Sequence, residues 1–283
     1  MSLPFDFFEL RVVRTRRISP ALLRVTFGGK RLADFVSGGR DQRFKLFLPH
    51  PGQERPLVPV EAGVDWFPVW RAMDPAERAV MRSYTVRQQR PAGADGQDAE
   101  LDVDFAMHGE GADEGPATRW ARFAGPGDHA TLLGPLEADN GGVDFRPPDS
   151  AEWILLSGDE SALPAVAGIL EWLPAGTRVR AWLEVPHRAD VQELETAADA
   201  EISWLVRDES DKPRTDLVLE ALRAAQLPPG TPYAWIAGES GTVKALRRHL
   251  VREREFDRRS VVFTGYWRLG ATDDQLVEEA LAG

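Results

Sequence analysis

No cysteine occurs in the 283 residues. That absence excludes a disulfide framework, a zinc–thiolate site, a thiolate-held iron–sulfur cluster and a catalytic thiol. Any redox chemistry must therefore use an organic group or a metal held by other ligands. No apolar run approaches the roughly 20 residues that a membrane-spanning helix needs. Positive charge is not in excess: 34 Lys and Arg stand against 45 Asp and Glu, a net charge of −11. Such a chain is poorly suited to tracking a phosphate backbone. Histidine is scarce, five in all, with no H-x-x-x-H or similar spacing, so no metal site is expected. Residues 1–17 mix Asp6 and Glu9 with arginines and lack the apolar core of a secretory signal. The expected location is the cytoplasm, the expected state a monomer, with neither nucleic acid nor membrane insertion among its partners.

Material for a core is plentiful. Nine tryptophans, 13 phenylalanines and 43% apolar residues rule out a disordered chain, and the length suits two domains. In the first half apolar residues recur at a spacing of two: Phe8, Leu10 and Val12; Leu23, Val25 and Phe27; Phe44, Leu46 and Leu48; Leu101, Val103, Phe105 and Met107. Period two marks strands with one buried and one polar face, as in an antiparallel barrel or sandwich. Further strands are expected at Ser83–Gln88 and Thr131–Leu133. The Pro-rich stretch from Arg55 to Val80, carrying Trp66, Phe67 and Trp70, reads as a long ordered loop.

Past Gly142 the rhythm changes. Short apolar runs at 153–156, 179–185, 202–206, 233–237 and 261–264 alternate with helical patterns, among them 163–170, 217–225 and 243–252. That alternation predicts a parallel sheet covered by helices. Turn residues around Asn140-Gly141-Gly142 and Pro147-Pro148 mark the link, and the domains are drawn as 1–145 and 146–283.

Four segments carry candidate chemistry. On the strand Arg82-Ser83-Tyr84-Thr85-Val86-Arg87, alternation puts Arg82 and Tyr84 on one side, and Ser83, Thr85 and Arg87 on the other. An aromatic plane, hydroxyls and guanidinium groups suit a flavin and its phosphates; a half-exposed edge strand fits the same residues. Gly115-Pro116-Ala117-Thr118 reads as a helix start, with proline in the first turn and free N–H groups that favour an anion. An ordinary helix burying Trp120 and Phe123 competes with that reading. Gly158-Asp159-Glu160-Ser161-Ala162-Leu163-Pro164 joins the first α/β strand to its helix, where nucleotides bind in open sheets, but no G-x-G-x-x-G is present; a plain turn capped by Asp159 or Ser161 is the alternative. Gly238-Glu239-Ser240-Gly241 follows a later strand in the same way. It is not the G-x-S-x-G of a serine hydrolase, because the motif breaks after Ser240.

Taken in order, these segments resemble one family. Residues 82–87, Asp104-Phe105 through His108-Gly109, Gly115-Pro116-Ala117 with Trp120-Ala121, residues 158–165, Trp235-x-Ala237-Gly238-Glu239 and Gly265-Tyr266-Trp267-Arg268-x-Gly270 are similar to the siderophore-interacting proteins, over roughly residues 8–270. The resemblance implies a β + α/β, ferredoxin-reductase-like fold. An N-terminal antiparallel Greek-key β-barrel would hold FAD, and a C-terminal parallel-sheet α/β domain would bind NAD(P)H. It also implies a ferric-siderophore reductase in which the flavin carries the chemistry and no catalytic side chain is obligatory. The residues expected at FAD are Arg82, Ser83, Tyr84, Thr85, Arg87, Asp104, Phe105, Met107, His108, Gly115, Pro116, Ala117, Thr118 and Trp120. Those expected at NAD(P)H are Gly158, Asp159, Glu160, Ser161, Ala162, Pro164, Glu184, Gly238 and Glu239. The loop between His108 and Gly115 looks longer than in many relatives. A general flavin reductase with a protein acceptor, docking through Trp66 and Trp70, and a non-enzymatic siderophore carrier are the alternatives.

Lys45, Arg119 and Arg268 are the candidate substrate cations. Because the segment from Asp273-Asp274 to Glu278-Glu279 is acidic, a neutral or cationic hydroxamate complex is the expected substrate. For the donor, Glu184 at the end of the second α/β strand would accept the ribose 2′-OH of NADH and repel a 2′-phosphate. His187, Arg188 and Arg207 pull toward NADPH. The expectation is a slight preference for NADH.

Overall fold

The computed structural model describes residues 4–93, 98–109, 114–272, 275 and 279. The chain divides into two compact units, Met1–Val143 and Asp144–Gly283. The N-terminal unit is one curled antiparallel sheet. Its strands are β1 (Phe5–Ser19), β2 (Leu22–Gly28), β3 (Arg43–Leu48), β4 (Val80–Thr85), β5 (Gln88–Arg90), β6 (Glu100–Ala106) and β7 (His129–Pro135), in the order β4-β3-β7-β1-β2-β6-β5. β7 lies between β3 and β1, a long-range return of the Greek-key kind. The sheet curls so far that Tyr84 of β4 meets Phe105 of β6, their ring centroids 4.4 Å apart. The alternating residues Phe8, Leu10, Val25, Phe27, Leu101, Val103 and Phe105, all fully buried, fill the concave side.

Three expectations for this half need correction. The 83–88 strand is two strands, β4 and β5. Between them Val86 N–H donates to the Gln42 carbonyl (2.9 Å) and Arg87 N–H to that of Asp102 (2.9 Å). The second face of β6 is polar but not solvated. Asp102 and Asp104 are 4% and 7% exposed, and Arg90, Arg24 and Thr26 cover them with hydrogen bonds of 2.6–2.8 Å. The stretch from 55 to 80 is not all loop: it winds through a 3-10 segment, Val60–Asp65, into helix α1 (Trp66–Ala72). Trp70 is buried there in a second core with Phe47 and Met81, against which Phe7, Trp66 and Phe67 pack. The Trp70 indole donates to the Ala79 carbonyl at 3.1 Å.

Helix α2 (Pro116–Phe123) begins where proline in the first turn predicts. Of its two aromatics only Trp120 turns inward, stacking on Phe27 at 6.1 Å. Phe123 is 78% exposed, contrary to the buried position expected of it.

The C-terminal unit is the predicted parallel sheet. Strands β8 (Trp153–Gly158), β9 (Arg178–Val185), β10 (Asp199–Val206), β11 (Pro232–Glu239) and β12 (Val261–Trp267) run in the order β10-β9-β8-β11-β12. Every residue of β8 is buried, as a central parallel strand covered on both faces requires. Helices α3 (Leu163–Trp172), α4 (Arg214–Ala224) and α5 (Ser240–Arg252) make the crossovers. In α5 the buried Val243, Leu246 and Leu250 recur at spacings of three and four, one stripe of a helix on a sheet. The chain winds outward from β8 to β10 and then returns to place β11 on the other side of β8. The resulting reversal, between β8 and β11, is where ligands bind in doubly wound sheets. Among the described residues no helix is long and apolar enough to cross a membrane.

Candidate functional site

In the N-terminal unit the curl brings β4, β6 and α2 together. Tyr84 is half-buried against Phe105, and Trp120 of α2 also packs against Phe105, with ring centroids 5.9 Å apart. Thr85 is buried, and the Arg82 guanidinium donates to the Met81 carbonyl at 2.8 Å. Ser83 faces the opposite way and accepts from Lys45 Nζ at 2.7 Å. Met107 leaves β6 by donating its N–H to Ala21 (2.8 Å), which leads the chain to His108 and toward α2. Gly115, the residue before α2, is extended (φ −63, ψ 153) and provides no side-chain cap. A Cβ there would meet no atom within 4 Å. No side chain of Gly115 caps the first-turn N–H groups of α2, and such groups are the kind of donor set a diphosphate takes.

Some expected flavin residues are engaged elsewhere. Asp104 is held by Arg24 (2.6 and 2.8 Å) on the face of β6 opposite Phe105. Phe105 and Trp120 belong to the packed core. Of the substrate cations, Arg119 lies 3.9 Å from Glu114, and Arg268 makes two 2.7 Å bonds to Glu279. Residues 110–113 of the long loop, and Asp273, Asp274 and Glu278 of the acidic segment, lie outside the described residues.

The C-terminal unit has a buried ionic cluster at its switch point. Asp159, Glu160 and Glu184 are 4%, 1% and 1% exposed. Arg207, just past β10, bonds both Glu160 oxygens (2.9 Å each) and Glu184 (2.8 Å). Arg214, at the start of α4, reaches all three carboxylates at 3.2–3.3 Å and lies over the Trp267 ring at 4.7 Å. Asp159 also ties the strand ends together. It accepts from the Trp267 indole and from Glu239 N–H, both at 2.8 Å, and from Ser161 N–H at 3.0 Å. Gly238 has a φ of 136°, and a Cβ on it would stand 2.7 Å from the Asp159 carboxyl, so only glycine fits between these strand ends. At Gly158 a Cβ would come within 2.8 Å of Ala162 Cβ; glycine there lets the helix start close on the strand. Alongside lies a small depression lined by Ser157, Gly158, Glu184, Ala237 and Glu239.

Sequence reasoning put Asp159, Glu160, Glu184, Gly238 and Glu239 at this edge, and the fold gathers them there. It did not find Arg214, whose partners lie 30–55 residues away in the sequence. Glu184 occupies the expected strand end, but its carboxylate is sealed beneath two arginines rather than offered to a ribose. Burial pushes its carboxyl up to about 7, against the pull of Arg214 and Arg207. Asp159 is raised too, by burial and by the neighbouring Glu160.

A folded-state value above the unfolded one gives stability that is full at low pH and is lost as pH climbs toward about 7. Glu184→Gln is therefore expected to raise the melting stability near pH 8 by roughly 1–3 kcal/mol, with the gain fading toward pH 5. A variant less stable than the parent near pH 8 would show that the arginines outweigh the cost of burial.

Residues 11–139 match the model of the siderophore-interacting FAD-binding domain, and residues 151–270 that of the siderophore-interacting protein. Ferric vibriobactin reductase ViuB of Vibrio cholerae is 33% identical over 277 residues, covering 95% of this chain and 92% of the relative. The NADPH-dependent ferric-chelate reductase of Escherichia coli is 32% identical over 265 residues, covering 92% of each. The crystal structure of a siderophore utilization protein from T. fusca has 35% identity and a TM-score of 0.76, over 96% of both chains. A ferredoxin reductase of carbazole 1,9a-dioxygenase shares the fold alone, with 17% identity and a TM-score of 0.61 over 94% of this chain and 70% of that one. With relatives above 30% identity along nearly its whole length, the chain belongs to the siderophore-interacting protein family, on a ferredoxin-reductase-like fold.

Proposed function

We propose that this chain is an FAD-dependent reductase that draws electrons from NAD(P)H and delivers them to a ferric siderophore in the cytoplasm, acting as a monomer. The observation that carries the reading is the uncapped start of α2 beside the half-buried Tyr84 ring, in the half of the chain that matches an FAD-binding domain. Arg82 and the first-turn N–H groups of α2 would hold the diphosphate, with Thr85, Met107 and His108 alongside. Tyr84 would offer its ring face to the isoalloxazine. Bound there, FAD supplies the exchange between a two-electron hydride donor and one-electron reduction of Fe(III). In the other unit, the end of β8 and the Gly238-Glu239 turn would receive the nicotinamide nucleotide at the switch point.

No side chain needs to act as acid, base or nucleophile. Hydroxamate and catecholate oxygens hold hard Fe(III) much better than Fe(II), so reduction itself loosens the chelate. Arg119 and Arg268 carry carboxylate neighbours, and the chain bears a net charge of −11. This muted positive charge supports a neutral or cationic hydroxamate complex as substrate, with NADH slightly preferred as the donor. Docking of a protein acceptor through Trp66 and Trp70 is disfavoured, because Trp70 is buried in the second core and Trp66 packs against it.

One absorption experiment tests the reading. The FAD-loaded chain should be yellow, bleach with NADH, and recover its colour anaerobically when a ferric hydroxamate is added while Fe(II) appears in a trap. A colourless protein that stays colourless with added FAD would support a siderophore carrier instead.

A further inference from the structure

We infer that Asp208 and Glu209 decide which nicotinamide dinucleotide the chain accepts, acting on His187 and Arg188 across two neighbouring turns; the inference rests on the reductase reading above. In a doubly wound sheet the adenosine ribose lies beyond the carboxyl end of the second strand. An acid there takes the 2′-OH of NADH, whereas an arginine takes the 2′-phosphate of NADPH. That strand here is β9, next to β8 in the sheet. Its terminal acid, Glu184, is 1% exposed and bonded to Arg207 and Arg214, so it does not present its oxygens to a ribose. Selection passes to the charged groups just beyond.

Those groups form two pairs. His187 Nδ1 lies 2.9 Å from Asp208 Oδ2. Arg188 Nε donates to Glu209 Oε1 at 2.9 Å, and its Nη2 to the other oxygen of the same carboxylate. The backbone beneath them is fixed. Asp208 N–H donates to the Pro186 carbonyl at 3.1 Å, tying the turn after β10 to the turn after β9. His187 N–H donates to the buried Asp190 at 3.0 Å. The four side chains themselves remain open, with exposures of 54% and 49% for the first pair and 64% and 48% for the second. They are reachable by a ligand as the sealed cluster behind them is not.

Charge decides the direction. His187 and Arg188 are the residue types that grip a phosphate, yet each already faces a carboxylate. An incoming 2′-phosphate would have to displace Asp208 and Glu209 and then lie beside them, like charge against like charge. A 2′-hydroxyl meets no such conflict, because either carboxylate can accept its hydrogen. The same turns would hold a 2′-phosphate well if the two acids were neutral. Exposed pairs of this kind contribute little to stability, so neutralising them leaves the fold in place and isolates the effect on the ligand.

The experiment uses the full FAD-loaded chain and the double variant Asp208→Asn/Glu209→Gln. Calorimetric titration with 2′,5′-ADP and with 5′-ADP reads the ribose subsite without turnover; kcat/KM for NADPH and NADH reads it during turnover. The double variant should bind 2′,5′-ADP about tenfold or more tightly than the parent, with 5′-ADP nearly unchanged. Its NADPH to NADH ratio should rise by the same factor. Adding Arg188→Ala to the double variant should erase the gain. Unchanged affinity for 2′,5′-ADP in the double variant would overturn the inference. A chain that gains 2′,5′-ADP affinity but reduces no ferric siderophore with either donor would uphold it and overturn the reductase reading alone.

Discussion

Replacing Arg207 with methionine is expected to destabilise the C-terminal unit by about 3–5 kcal/mol, because removing one partner leaves the other buried charge uncompensated. Its thermal transition should fall by roughly 6–20 °C, at about 2–4 °C per kcal/mol for a unit of this size class. Arg207 reaches both Glu160 and Glu184 at 2.8–2.9 Å, and both acids are 1% exposed. Arg214 remains, but its contacts are longer and it must also serve Asp159. The loss should shrink at mildly acidic pH, because Glu184, already pushed up to about 7, then takes a proton and no longer needs the arginine. A shift under about 2 °C at pH 8 would mean that water or Arg214 compensates the cluster, and that the network is not what closes the sheet edge.

The second large effect concerns the cofactor. Arg82→Ala should weaken FAD binding by about 10–150-fold, the range set by a charge-assisted hydrogen bond worth roughly 1.5–3 kcal/mol. Its dissociation constant is read from the change in flavin fluorescence on binding. The melting temperatures of the flavin-free variant and the flavin-free parent, compared side by side, separate a lost ligand contact from a weakened fold. Saturating FAD should restore NADH-driven bleaching in the variant. If the dissociation constant stays within about twofold of the parent, Arg82 does not touch the phosphates and another cation must hold them.

The period-two strands were legible because their buried face is apolar at every alternate residue, as in Leu101, Val103 and Phe105. The parallel sheet was legible because β8 and β11 are short apolar runs followed by turn residues. What was not legible depends on partners far off in the chain. Nothing local to Asp102 or Asp104 says that arginines at 90 and 24 will roof them over. Arg214 likewise meets Asp159 and Glu160 only because α4 packs beside the switch point. The break at Val86–Arg87 is set by the carbonyls of Gln42, just before β3, and of Asp102 in β6, which accept the two N–H groups. Helix α1 was hidden because proline within Trp66-Phe67-Pro68 reads as a breaker, yet it sits in the first turn, where no N–H is required. At the candidate site, position was foreseen better than role. Glu184 stands where the strand pattern puts it, but it is buried beneath Arg207 and Arg214 rather than presented at the surface.

The register of β1 has a consequence for how the chain is made. Its first seven residues pair with β7, Phe5 opposite Pro135, while its later part pairs with β2. During synthesis the hairpin with β2 can form early, but half of the opening strand must wait for a partner about 130 residues downstream. At ribosomal speeds of about 5–20 residues per second, that wait is several seconds to half a minute. Phe5, Phe7 and their neighbours are then an unmatched edge, open to the wrong strand or to a holding chaperone, until the peptide through Pro135 has left the exit tunnel.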